Sequence, residues 1–165
     1  MNEQQNRNEI IKAVLLSFKI TTYGFEEMRG ATVTLYKFRP QSGVRIAKIR
    51  NLKDELASAL GVPSVRIIAP MDDGSVGIEV PNKDREVLPL FEILNSWEYQ
   101  NADMALPLCI GRKVDGSVFI ADLAEMPHLL VAGATGQGKS VCLNVILMSL
   151  LHKKTPDELR LILID

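Results

Sequence analysis

The sequence is poor in cysteine and has no long apolar run. Two cysteines, Cys109 and Cys142, cannot build a disulfide framework in a chain of 165 residues. The expectation is structural thiols in a reducing compartment, with Cys142 buried inside a helix. No uncharged stretch approaches the ~18 residues of a membrane span, and the N-terminus has no apolar signal core. A soluble, cytoplasmic segment is therefore expected. Neither sign of charge dominates: 19 Lys and Arg stand against 20 Asp and Glu, for a net −1. Overall charge thus argues neither for nor against nucleic acid. What remains is ordinary globular composition, 47% hydrophobic and 24% charged, in a length that suits one domain or two small ones.

One stretch carries chemistry. Gly133-Ala134-Thr135-Gly136-Gln137-Gly138-Lys139-Ser140 fits G-x-x-x-x-G-K-[ST], the phosphate-binding loop. Glycines at 133, 136 and 138 are expected to adopt positive φ and let backbone approach a phosphate closely. Successive N–H groups then form an anion nest. Lys139 is placed to reach the β- and γ-phosphates of ATP, and the Ser140 hydroxyl to ligate Mg²⁺. The flanks suit the motif. His128–Ala132 reads as a short buried parallel strand. Val141, Val145, Met148 and Leu151 recur at helical spacing, joined by Leu143, Ile146, Leu147 and Leu150, which predicts a helix apolar almost all round and well buried. The bland alternative is a glycine-rich turn that only caps a helix.

The rest of the chain divides into a β-rich part and a connection to this motif. Residues 1–8 are polar and read as a frayed tail, after which Asn8 caps a helix over 9–19 striped by Ile10, Ile11, Val14, Leu15 and Phe18. Strands are predicted at 32–38, 44–49, 65–69 and 76–80, with a helix over 52–60 capped by Asn51 and closed by Gly61. Asp72-Asp73-Gly74 makes a turn, and a short helix falls within 84–94 near Pro89. From Arg29 to Lys53 there are seven basic residues (Arg29, Lys37, Arg39, Arg45, Lys48, Arg50, Lys53) and no acid. That run is either a solvated face, a surface for a phosphate backbone or a subunit interface. Residues 95–105 read as a linker, and 106–110 with 118–121 as a strand pair about the turn Asp115-Gly116-Ser117. Asp122 and Glu125 read as turn polars, His128 as a hydrogen-bonded structural histidine and His152 as a complement to the helix dipole. Leu159–Asp165 reads as a second apolar strand, with Asp165 a chemical candidate for the Mg²⁺-holding acid of an ATPase. One βαβ unit is less than an ATPase needs, so the chain reads as part of a longer one.

Several stretches together resemble the FtsK/SpoIIIE family of bacterial DNA translocases. Gly30-Ala31-Thr32-Val33-Thr34-Leu35-Tyr36 is similar to its Gly-Pro-x-Val-Thr strand, with Ala31 where proline is common. Gly43–Leu52, Arg66–Pro70 and Gly77-Ile78-Glu79-Val80-Pro81-Asn82 resemble its next signatures, and Ala121–Gly133 runs into the loop as the family does. Cys142 stands where glycine is frequent.

The resemblance implies an α/β chain: a polar tail over 1–10, a small α+β domain (the α domain) over 11–98, and the first part of a RecA-like P-loop domain over 99–165. It implies an ATP- and Mg²⁺-dependent motor that forms a hexameric ring on double-stranded DNA and acts in chromosome segregation at division, with a membrane-anchored region elsewhere in the parent. Sites carry over only to Gly133–Ser140, with Lys139 catalytic and Ser140 on Mg²⁺. In the family the Mg²⁺ acids come on a later strand, which lowers Asp165. The chain itself contains no such acids, no arginine finger and no orientation-reading domain, so it is expected to be inactive alone. A secretion or conjugation pump and a nucleotide-binding or oligomerisation module without turnover are the alternatives.

Overall fold

A computed structural model describes residues 3–126, 128–134 and 136–164. It divides into two compact units meeting between Glu86 and Val87. In the first, α1 (Glu3–Ser17) is followed by β1 (Thr22–Arg29), β2 (Val33–Pro40), α2 (Ile46–Arg50), α3 (Lys53–Leu60), β3 (Arg66–Ile68) and β4 (Val76–Pro81). The strands form one antiparallel sheet in the order β1-β2-β4-β3. Tyr36 and Phe38 of β2 and Val76, Ile78 and Val80 of β4 alternate onto one face and are fully buried. Ile11 and Leu15, four apart on α1, and Leu56 of α3 complete that core.

Both helices end in the same way. Lys19 takes a left-handed φ of 56°, with Lys19 N–H donating to Leu16 O and Ile20 N–H to Leu15 O. Gly61, at φ 64°, makes the equivalent pair with Ser58 and with Val62 N–H to Ala57 O. These are Schellman closures, each followed by an apolar residue turned inward. Asn82, buried beside the sheet, accepts from Thr34 Oγ1 at 2.7 Å and donates from Nδ2 to Gly30 O at 2.8 Å, while its N–H donates to Thr32 O. It holds the β1–β2 turn against the end of β4. The Gly-Ile-Glu-Val-Pro-Asn stretch is thus an architectural feature of this unit.

The second unit carries α4 (Leu90–Leu94), α5 (Trp97–Gln100), β5 (Pro107–Arg112), β6 (Val118–Asp122), a short 3₁₀ turn (Leu123–Glu125) and α6 (Lys139–Lys153). β5 and β6 form an antiparallel hairpin, as its sequence pattern implies. Ser117 N–H and Oγ both donate to Asp115 Oδ1 within the turn, and Gly116 takes φ 85°. Ile93, Leu94, Tyr99 and Cys109 form the buried cluster. Asp122 accepts from the N–H groups of Ala124, Ala105 and Leu106, which holds its carboxyl below the usual carboxylate range; it is a structural turn acid.

Several local expectations are corrected. α1 runs back to Glu3, so Asn8 is a helix-interior residue and no cap, because the preceding residues are mostly good helix formers. Residues 46–50 are helix α2, not strand: Ile46 and Ile49 are three apart, and a short apolar run cannot be assigned by periodicity alone. Asn51 closes α2 and Leu52 opens α3. The strand β1 and helix α5 had no clear apolar period to announce them. Neither 128–132 nor 159–164 is a strand. Leu130 is 89% exposed and Ile164 93% exposed, with no neighbouring strand paired to either among the described residues. A strand is defined by its partner, and an apolar run without one stays an exposed segment. Helix α6 forms as expected but is mostly exposed, with Cys142 outside and Cys109 the buried thiol.

Candidate functional site

The phosphate-loop stretch enters α6 without a side-chain cap. Gly138 is the N-cap at φ 87°, and the first helical bond runs from Cys142 N–H to Gly138 O at 2.8 Å. The N–H groups of residues 138–141 therefore have no acceptor within the helix. Gly136 also lies in the left-handed region, at φ 81°, where a side chain would be strained. Gly133 does not adopt positive φ, contrary to expectation, and a Cβ there would meet Gln137 Cβ at an ordinary 3.9 Å. Gln137 N–H turns back to Ala134 O at 3.1 Å.

Gly133, Ala134, Gly136, Gly138, Lys139, Ser140 and Val141 line an open hollow of about 400 Å³. Lys139 is exposed, and no ion pair joins it to an acid among the described residues. Ser140 is exposed beside it. The hollow therefore offers unpartnered backbone donors, the positive end of a 15-residue helix and one cation. That donor set contains no carboxylate and suits a polyphosphate. Thr135 and Asp165 lie outside the described residues, as does Pro127. No cluster of three His, Cys, Asp or Glu side chains that could hold a metal ion occurs among the described residues. His128 is exposed and has no hydrogen bond to a described residue, against its reading as a bonded structural group. His152 is in the last turn of α6, with its ring 6.1 Å from that of Tyr99.

The seven basic residues of the 29–53 run fall into two sets. Lys37 Nζ lies 2.8 Å and Arg39 Nη2 3.7 Å from Asp73, whose carboxyl is held far below its usual range by Lys37 and by Ser75. Arg50 donates Nε and Nη2 to Ala69 O. Arg29, Arg45, Lys48 and Lys53 are exposed, with no ion pair to an acid among the described residues. Arg50, Lys53 and Arg66 line a second hollow, about 540 Å³, against one acid, Glu79, which pairs with Arg66 at 3.3 Å.

Residues 1–82 match the FtsK alpha domain and residues 89–165 the FtsK/SpoIIIE family. The chain is 41% identical over 164 residues to a DNA translocase FtsK of Borreliella burgdorferi, and 42% identical over 164 residues to that of Rickettsia bellii. These alignments cover 99% of this chain but 21% and 22% of the relatives, so the chain spans about a fifth of their length. Among solved structures, the pCW3 conjugation coupling protein TcpA in a monomer form with ATPγS aligns with 88% of this chain and 42% of its own, at 21% identity and a TM-score of 0.35, too low to bear on the arrangement. No described helix is long and apolar enough to cross a membrane.

Proposed function

Because the chain belongs to the FtsK/SpoIIIE family, we propose that it supplies the α domain and the opening of the RecA-like motor domain of an ATP-driven translocase of double-stranded DNA, acting in chromosome segregation at division. The observation that carries this is the uncapped start of α6 behind two left-handed glycines, with Lys139 exposed at its first turn. Gly133–Ser140, Thr135 included, would hold the ATP phosphates; Lys139 would reach the β- and γ-phosphates, and Ser140 would ligate Mg²⁺. The metal, when bound, neutralises charge on those phosphates. The chain's own part is to bind and orient them through fixed N–H groups that need no rearrangement.

The boundaries read from the sequence, 11–98 and 99–165, remain the proposal for the two functional domains, while the compact units divide earlier, between Glu86 and Val87. Arg29, Arg45, Lys48 and Lys53 supply contacts to the DNA backbone, independent of sequence and weakened by salt. A hexameric ring, with a neighbouring subunit completing each nucleotide site, follows from the same reading, as does a membrane-anchored region in the parent protein. The 165 residues by themselves bind nucleotide without turning it over.

The test is ATP hydrolysis by the full-length protein with and without duplex DNA, beside a Lys139→Ala variant. Strong stimulation by DNA, lost in the variant, is the expected result. Turnover indifferent to DNA would overturn the reading in favour of a secretion or conjugation pump.

A further inference from the structure

Helix α6 is held at one end only. Residues 139–144, next to the hollow, are all exposed, and the helix's buried residues are Ser149 and Leu150. Ser149 is an odd residue to find there: it sits fully buried in an otherwise apolar run. Its Oγ donates to Val145 O at 2.7 Å and accepts from Cys109 N–H of β5 at 3.1 Å. Its carbonyl accepts the hydroxyl of Tyr99, from α5, whose ring is also fully buried. One turn on, Lys153 Nζ donates to Tyr99 O at 3.0 Å and Gln100 O at 2.6 Å, lying 5.5 Å from the centre of the Tyr99 ring. Polar bonds thus fix α6 to two different elements, within the five residues Ser149–Lys153.

We propose that Tyr99 and Ser149 are positioning residues for the phosphate loop, setting the direction of α6 and hence the aim of its N-terminal N–H groups without touching the ligand. This rests on the phosphate-site reading above. The physical argument is leverage. Lys139 lies ten residues from Ser149, about 15 Å along the axis, so a tilt of about 5° at the tie moves the loop end by roughly 1.3 Å. A misplacement of about 1 Å can cost a reaction about 100-fold, and binding through fixed donors is similarly exacting. A tie made of hydrogen bonds is suited to that role, because the bonds are directional and so constrain the angle of the helix as well as its distance.

The test uses full-length protein with Tyr99→Phe, which removes only the hydroxyl, and Ser149→Ala. Ile120→Val, a slight truncation beside the same buried cluster, is the control for stability alone. ATP affinity, KM for ATP, kcat and the melting midpoint are measured together. The expected result is an ATP affinity weakened and a KM raised by about 10-fold or more in both tie variants, while Ile120→Val shifts only the melting midpoint. If Tyr99→Phe and Ser149→Ala match Ile120→Val, losing stability with KM unmoved, the tie is merely structural and the proposal fails. Lys139→Ala separates the two readings. If it abolishes ATP binding while the tie variants do nothing, the positioning role alone falls; if ATP binding survives it, the phosphate-site reading falls and takes this proposal with it.

Discussion

The first unit closes on itself and the second does not. In the first, every strand has its partner inside the unit, and the apolar residues of β2, β4, α1 and α3 meet in one core. In the second, a two-stranded hairpin and short helices bury a small cluster, while Leu130, Ile162 and Ile164 lie open. The lesson concerns what apolar residues can do alone. Burial stabilises by about 25 cal/mol per Å² removed from water, so an apolar run with nothing against it contributes almost nothing. The largest expected effect follows directly. In the 165-residue chain, Ile78→Ala should cost about 2–5 kcal/mol, whereas Ile162→Ala should stay within about 0.5 kcal/mol. Urea denaturation reads both. Equal losses would mean that 159–164 is packed in solution, and the contrast between the units would disappear.

Asn82 sharpens the comparison inside the first unit. Its side chain bonds to Thr34 and Gly30, and removing it leaves a buried hydroxyl and a carbonyl short of a partner. Asn82→Ala should cost about 1–3 kcal/mol. The chain's single tryptophan, Trp97, belongs to the second unit, so its emission reports that unit while far-ultraviolet circular dichroism sums both. The expectation is an earlier circular-dichroism transition with the Trp97 transition unmoved. If Trp97 shifts by the same amount, the two units unfold together.

What the sequence made legible follows the same division between self-sufficient and dependent structure. The Asp115-Gly116-Ser117 turn, Gly61 and the start of α6 could be read because their chemistry is local: a positive φ, an aspartate beside a serine, a lysine after glycine. The β1 strand could not, since Thr22–Arg29 is mostly polar, interrupted by Gly24 at φ 65°, and owes its form to pairing with β2. Residues 128–132 and 159–164 have strand composition, but composition does not supply a partner. The Tyr99–Ser149 tie was invisible for another reason: it joins residues 50 apart. Its one trace was a serine among leucines in α6. The basic run of 29–53 was legible as charge but not as a surface, because Asp73, which engages Lys37 and Arg39, lies far along the chain.

The gentlest probe of the contrast is pH, because the most strongly shifted group of each unit titrates at a different end of the scale: Asp73 on the acid side in the first and Tyr99 on the alkaline side in the second. Asp73 in the first unit ionises well below its ordinary value of 3.8, chiefly through its bond from Lys37 and then those from Ser75. Its contribution is therefore present above about pH 4 and is lost as pH falls, since the unfolded chain takes up the proton first. Tyr99 in the second unit is pushed up from 10.0 to about 12, first by burial and then by Cys109. Here the unfolded chain releases its proton first, so stability is intact below pH 10 and declines as pH rises towards 12. Urea midpoints followed by circular dichroism should fall on the acid side, and those followed by Trp97 on the alkaline side. Asp73→Asn should flatten the first slope and Tyr99→Phe the second, each leaving the other in place. Asp73 is partly exposed, so water screens its pairing and the acid slope should be shallow. Burial pushes the Cys109 thiol up as well, so a remnant alkaline slope in Tyr99→Phe belongs to Cys109; an unaltered chain with no alkaline slope would count against a closed contact between Tyr99 and Ser149.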